Sequence, residues 1–237
     1  MGTCVITGAS SGIGRACALL LSNKGYFGSY ALLGRSTGEL SATADSMKRS
    51  NADLVIKTYG IDLAETDRIG GVMESVCSDF PDISCLCNIA GYTDPRPLLA
   101  TTLESFELTY RINVYAPFLL IRECARVMRR RGGKIINVAS TAGMGARPGW
   151  LSYASSKAAL ISMSQTLTEE LAEYGIKVYC VSPGRCATKL RKRLAPEEDP
   201  ATIMQPEETA KVICSLISPE ESCLDGQNIV IRKQMVR

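Results

Sequence analysis

The reading of this chain turns on Cys4-Val5-Ile6-Thr7-Gly8-Ala9-Ser10-Ser11-Gly12-Ile13-Gly14. A short apolar run, strand-like from Cys4 to Thr7, passes straight into a glycine-rich turn, and from Gly12 to Lys24 the apolar side chains recur at helical spacing. Glycines let the turn tighten and bring main chain close to a pyrophosphate, an anion that the positive end of the next helix favours. Strand, glycine turn and helix in that order point to a dinucleotide site, with Gly8, Ser10, Ser11, Gly12, Ile13 and Gly14 as the phosphate cradle.

Outward from that turn, the second strand candidate ends in Gly34-Arg35-Ser36, where an NAD site would carry an Asp or Glu for the ribose hydroxyls. An acidic residue would repel a 2′-phosphate, whereas the planar guanidinium of Arg35 can pair with it. The expected cofactor is therefore NADP(H) rather than NAD(H), held at that end by Arg35 and Ser36.

Beyond it, strand candidates at Tyr30–Leu33, Leu54–Tyr59, Ser84–Cys87, Lys134–Val138, Lys177–Val181 and Asn228–Ile231 alternate with longer helical patterns. The helix candidates are Glu39–Arg49, Thr66–Ser78, Leu103–Arg131, Tyr153–Tyr174 and Pro206–Ser218. Near-continuous apolar strands alternating with helices predict an α/β fold, a doubly wound parallel sheet covered on both faces. Without repeats or long linkers, 1–237 reads as a single domain, and Arg185–Gln205 as a loop within it.

Composition narrows the chemistry. The chain has 237 residues, a net charge of +3 and no histidine. That rules out Ser-His-Asp triads and histidine-based zinc sites, and gives no reason to expect nucleic acid. The 10 cysteines lack C-x-x-C spacing, and Cys85 and Cys87 read as small core side chains on one strand face, so no metal is expected. No apolar run nears the roughly 20 residues that span a bilayer, and no secretory signal opens the chain, so the expected location is the cytoplasm, away from membranes.

Acid–base work then falls to other residues. Tyr153 and Lys157, at i and i+4, share a face of one helix, and an ammonium beside a phenol favours the phenolate. Ser140, ending the strand Lys134–Ala139, offers a hydroxyl for a carbonyl or oxyanion.

Taken in order, Thr7 to Gly14, Asp62-Leu63, Asn88-Ile89-Ala90-Gly91, Asn113, Ser140, Tyr153 with Lys157, and Pro183-Gly184 with Thr188 resemble the short-chain dehydrogenase/reductase family along nearly the whole chain. The resemblance implies a one-domain Rossmann fold of about seven parallel strands, active as a homodimer or homotetramer. It implies Tyr153 as general acid/base, Ser140 orienting the substrate oxygen, and Lys157 lowering the Tyr153 pKa and holding the nicotinamide ribose. Asp62 and Leu63 would lie by the adenine, Asn88, Ala90 and Gly91 along the cofactor, and Pro183, Gly184, Cys186 and Thr188 at the nicotinamide end. Asn113 would hold a water in a proton relay, and the sequence adds a reason: Pro117 has no N–H to bond the Asn113 carbonyl.

The chain departs from the family pattern at Ile89, at Ser11, where NADP users often carry a base, and at Leu224-Asp225-Gly226-Gln227, where Asp-Gly-Gly is usual. Tyr92, Met144 and Trp150, with Ser140 and Tyr153, are the expected substrate contacts, and Arg96 and Arg147 are expected near the catalytic pair. The run Arg185, Lys189, Arg191, Lys192, Arg193 reads as a solvated face or as an anion site. The expected activity is NADP(H)-dependent interconversion of a ketone and a secondary alcohol. Its small-molecule substrate is a 3-oxoacyl carrier, a sugar- or polyol-phosphate, a pterin or a broad range of carbonyls. A non-catalytic dinucleotide sensor on the same fold is the alternative.

Overall fold

The computed structural model describes residues 2–224 and 226–233, so Asp225 and the end of the C-terminal tail lie outside it. Seven strands, β1 (Thr3–Thr7), β2 (Ser29–Gly34), β3 (Val55–Gly60), β4 (Ile83–Asn88), β5 (Gly133–Val138), β6 (Ile176–Pro183) and β7 (Asn228–Ile231), form one parallel sheet in the order β3-β2-β1-β4-β5-β6-β7. The chain winds outward one way to β3 and then returns beside β1 to build the other half, so the order reverses between β1 and β4.

Helices cover both faces, as the near-continuous apolar strands require. In β1, Cys4 and Ile6 face α1 (Gly12–Ser22), α2 (Thr37–Ser50) and α8 (Pro206–Ile217), while Val5 faces α3 (Ile69–Asp79), α5 (Ala116–Met128) and α6 (Leu151–Ala172). The five side chains of β1 are all buried, and each face joins its own apolar layer. Helix α2 starts at Thr37, ahead of its expected start at Glu39, because the Ser36 hydroxyl accepts the Glu39 N–H.

The expected single helix Leu103–Arg131 is interrupted. α4 (Leu103–Tyr110) gives way to a π-helical turn, Arg111–Tyr115, before α5 begins. Pro117 lies in the first turn of α5, where its missing N–H is tolerated.

The segment expected to be a loop, Arg185–Gln205, carries α7 (Lys189–Leu194) and a 3₁₀ turn at Pro200–Thr202. The Thr188 hydroxyl caps α7 by accepting the Arg191 N–H. Its neck is closed by Ala187 N–H to the Met204 carbonyl at 2.8 Å and Met204 N–H to the Arg185 carbonyl at 3.2 Å. The segment is a flap that follows β6.

Cys85 and Cys87 are core side chains, as expected, and Cys4 joins them from β1 with all three thiols within 4.8 Å of one another and fully buried. None of the three lines the cleft described next.

Candidate active site

A cleft of about 820 Å³ opens at the carboxyl ends of the strands, where the strand order reverses. Its floor is tied by one hydroxyl: Thr7 Oγ1 donates to the Cys87 carbonyl and accepts the N–H groups of Ile89 (3.0 Å) and Ala90 (3.1 Å). Above it the glycine turn is held by backbone that only glycine suits. Gly12 has φ +53°, and a Cβ on Gly14 would fall 2.6 Å from the Gly8 carbonyl carbon.

Arg35 reaches the rim with its side chain two-thirds exposed and its guanidinium 4.0 Å from the Asp62 carboxylate. Across the same rim, Lys189 on the flap pairs with Glu39 at 2.9 Å. Asn88 departs from expectation. Its side chain turns into the sheet, where Nδ2 donates to Asn137 Oδ1 at 2.9 Å, and it does not line the cleft. Among the described residues, its buried Oδ1 meets no hydrogen-bond donor. The glycine cradle and the exposed cation of Arg35 fit a phosphate-bearing dinucleotide.

At the other end stand Ser140, Tyr153 and Lys157. Tyr153 and Lys157 are nearly buried, at 5% and 3% exposure, yet both line the cleft. Burial raises the Tyr153 phenol above its ordinary value, while the Ser140 hydroxyl and the Arg191 charge pull it back. Burial also lowers the Lys157 ammonium to about 8. Lys157 Nζ donates to the Val138 carbonyl at 2.8 Å and lies 6.0 Å from the Tyr153 ring centroid. A phenol, a hydroxyl and an ammonium thus line the same cleft, an arrangement that can deliver a proton to a carbonyl oxygen.

Asn113, in the π turn, is fully buried and does not line the cleft. Its Nδ2 donates to the Tyr92 carbonyl and to Ser156 Oγ, and its Oδ1 accepts the Tyr92 N–H. Its side chain is therefore spent on placing the loop after β4. Met144, half exposed, stands outside the cleft, and Arg96 turns to Asp94. The other expected cofactor and substrate residues line the cleft, Tyr92, Trp150, Cys186 and Thr188 among them.

The flap supplies groups whose placement the sequence did not resolve. Arg191 stacks over the Trp150 ring at 5.7 Å and Arg193 over Tyr92 at 6.0 Å, and both line the cleft together with Arg147. The basic run was visible, but the contacts that turn Arg191 inward join residues 41 positions apart in sequence.

Comparison with known proteins accords with this geometry. The family model described as short chain dehydrogenase matches residues 2–199. The chain belongs to the short-chain dehydrogenase family. This short-chain dehydrogenase is an oxidoreductase, and it is 32% identical to the 3-oxoacyl-(acyl-carrier-protein) reductase FabG of Thermotoga maritima over 96% of this chain and 95% of that protein. A 3-oxoacyl-(acyl-carrier-protein) reductase of Synechocystis sp. is 30% identical, over 98% and 96%. Among solved structures, a short-chain type dehydrogenase/reductase from Mycobacterium marinum superposes with a TM-score of 0.88 at 28% identity, covering 98% of this chain and 94% of that one.

Proposed function

We propose that this short-chain dehydrogenase interconverts a ketone and a secondary alcohol with NADP(H), and that Tyr153 moves the proton. The observation that carries the reading is the convergence of the Tyr153 phenol, Ser140 hydroxyl and Lys157 ammonium at one end of the cleft. The nicotinamide, when bound, supplies or accepts the hydride. In the reducing direction the Tyr153 O–H gives its proton to the carbonyl oxygen, while Ser140 orients that oxygen and Lys157 stands beside the ribose. Asn113 serves through its backbone: Pro117 has no N–H to give its carbonyl, which would accept from a water that returns the proton.

NADP(H) rather than NAD(H) is supported by Arg35 at the rim, with Ser36 capping the helix beside it and Asp62 and Leu63 on the adenine side. Gly8, Ser10, Ser11, Gly12, Ile13 and Gly14 would cradle the pyrophosphate, Ala90 and Gly91 flank it, and Pro183, Gly184, Cys186 and Thr188 border the nicotinamide. A 3-oxoacyl group on an acyl carrier is the first substrate to test, because the relatives above carry that activity in their names. Sugar- or polyol-phosphates, pterins and simple carbonyls follow.

Large apolar side chains exposed along α4, the π turn and α5, including Leu103, Tyr115 and Phe118, support a homodimer or homotetramer. Ten free cysteines suit a reducing cytoplasm, and among the described residues no helix is long and apolar enough to cross a membrane.

The test is loss of NADPH absorbance with each substrate class, for the wild type and for Tyr153→Phe. Turnover that falls about 100- to 10,000-fold in the variant, with NADPH affinity kept, supports the reading. Tight NADPH binding without turnover of any ketone would point instead to a sensor.

A further inference from the structure

Burial opposes ionisation of Tyr153, so whatever stabilises its phenolate sets the pH at which it can exchange a proton. Lys157 lies on the same helix, 6.0 Å from the Tyr153 ring centroid, while the Ser140 hydroxyl after β5 and the Arg191 charge on the flap both pull the phenol down. The Lys157 ammonium is committed to the Val138 carbonyl. Arg191 approaches from across the cleft through the indole, its guanidinium 5.7 Å from the Trp150 ring, which packs edge-on to Tyr153 with centroids 6.5 Å apart.

That guanidinium is held in place. Glu198 accepts from Arg191 Nε at 2.6 Å and Nη2 at 2.9 Å, and the two side chains are only 17% and 15% exposed. Arg185 bonds the same carboxylate at 3.1 Å. Two cations on one carboxylate leave net positive charge, and a guanidinium keeps its charge at any working pH.

We infer that Arg191 is a positioning residue for proton transfer: clamped by Glu198 against Trp150, it stabilises the Tyr153 phenolate, so that the flap must be seated for Tyr153 to work. The inference rests on Tyr153 being the proton donor. When the phenol O–H breaks and its proton passes to the carbonyl oxygen, the negative charge left on Tyr153 is what Arg191 favours.

The test titrates tyrosinate absorbance of the NADP⁺ complex, taking the wild type minus Tyr153→Phe and repeating the difference in Arg191→Met and Arg191→Lys backgrounds. The Tyr153 midpoint should rise by about one pH unit in Arg191→Met and recover in part with Lys. With an alcohol substrate, the acid limb of oxidation should move up with it, lowering oxidation near neutral pH by up to about tenfold. If Arg191→Met does not fold, Arg191→Gln, which keeps a hydrogen-bond donor for Glu198 but carries no charge, should move the midpoint in the same direction.

Unchanged midpoints and limbs overturn the inference, whether KM rises (a substrate contact only) or NADPH affinity falls (a cofactor contact only). The titration needs no substrate. A chain that turns over no ketone would therefore defeat the proposed function, while the midpoints still decide the role of Arg191.

Discussion

Asn113 grips Tyr92 at both ends of its backbone, accepting the Tyr92 N–H through Oδ1 and donating to the Tyr92 carbonyl through Nδ2, each at 2.9 Å. A third bond, to Ser156 Oγ, fastens the pair to the helix that carries Tyr153 and Lys157. The π turn widens the helix at the point where Asn113 must make all three contacts.

Asn113→Ala should therefore be costly before any question of catalysis arises. It strips partners from the Tyr92 backbone and from Ser156, and each buried group left unpaired costs about 1–3 kcal/mol. Chemical denaturation should show a loss of about 2 kcal/mol or more; a loss within a few tenths would mean the loop does not depend on this clasp.

Arg35→Asp replaces a rim cation with a like charge to the 2′-phosphate. Calorimetry should show NADPH affinity falling about 10- to 100-fold, the value of a charge-assisted hydrogen bond, with NADH little affected. Equal losses for both nucleotides would remove Arg35 from the phosphate site.

Lys157 links stability to pH. Its folded pKa, lowered by burial to about 8, lies below the 10.5 of an ordinary lysine, so between these values the unfolded chain binds more protons and stability rises with pH. Relative to Lys157→Met, the wild type should gain on the order of 3 kcal/mol between pH 8 and 10.5, and below pH 8 it should carry the full penalty. Paired denaturation curves at pH 7 and 10 test this; a difference that does not change with pH would refute it.

Gly14→Ala would press a methyl group against the Gly8 carbonyl, which is backbone and cannot swing aside. Overpacking of this kind costs about 1–3 kcal/mol, and here it also pries open the turn that faces the pyrophosphate. Both the melting temperature and NADPH affinity should fall; a normal affinity would place the pyrophosphate elsewhere.

Much of this architecture could be read in the sequence because it is encoded locally. The apolar runs marked all seven strands, β7 at its observed ends, and the i, i+4 spacing put Tyr153 and Lys157 on one face of α6. What could not be read depends on partners distant in sequence. Asn88 turns inward because Asn137 receives it, and α7 forms on a short basic segment whose start is set by the Thr188 cap. Pro117 signalled a disturbance near Asn113, but the widened turn answers to Tyr92 and Ser156, which no local pattern ties to it.

The Thr7 hydroxyl joins the end of β1 to Cys87, Ile89 and Ala90, some 80 residues further on. The glycine turn is thus no portable cassette. Excised with β1 and α1 alone, it would lack the floor on which it sits, and during synthesis it cannot reach its finished shape until β4 has left the ribosome and slid in beside β1.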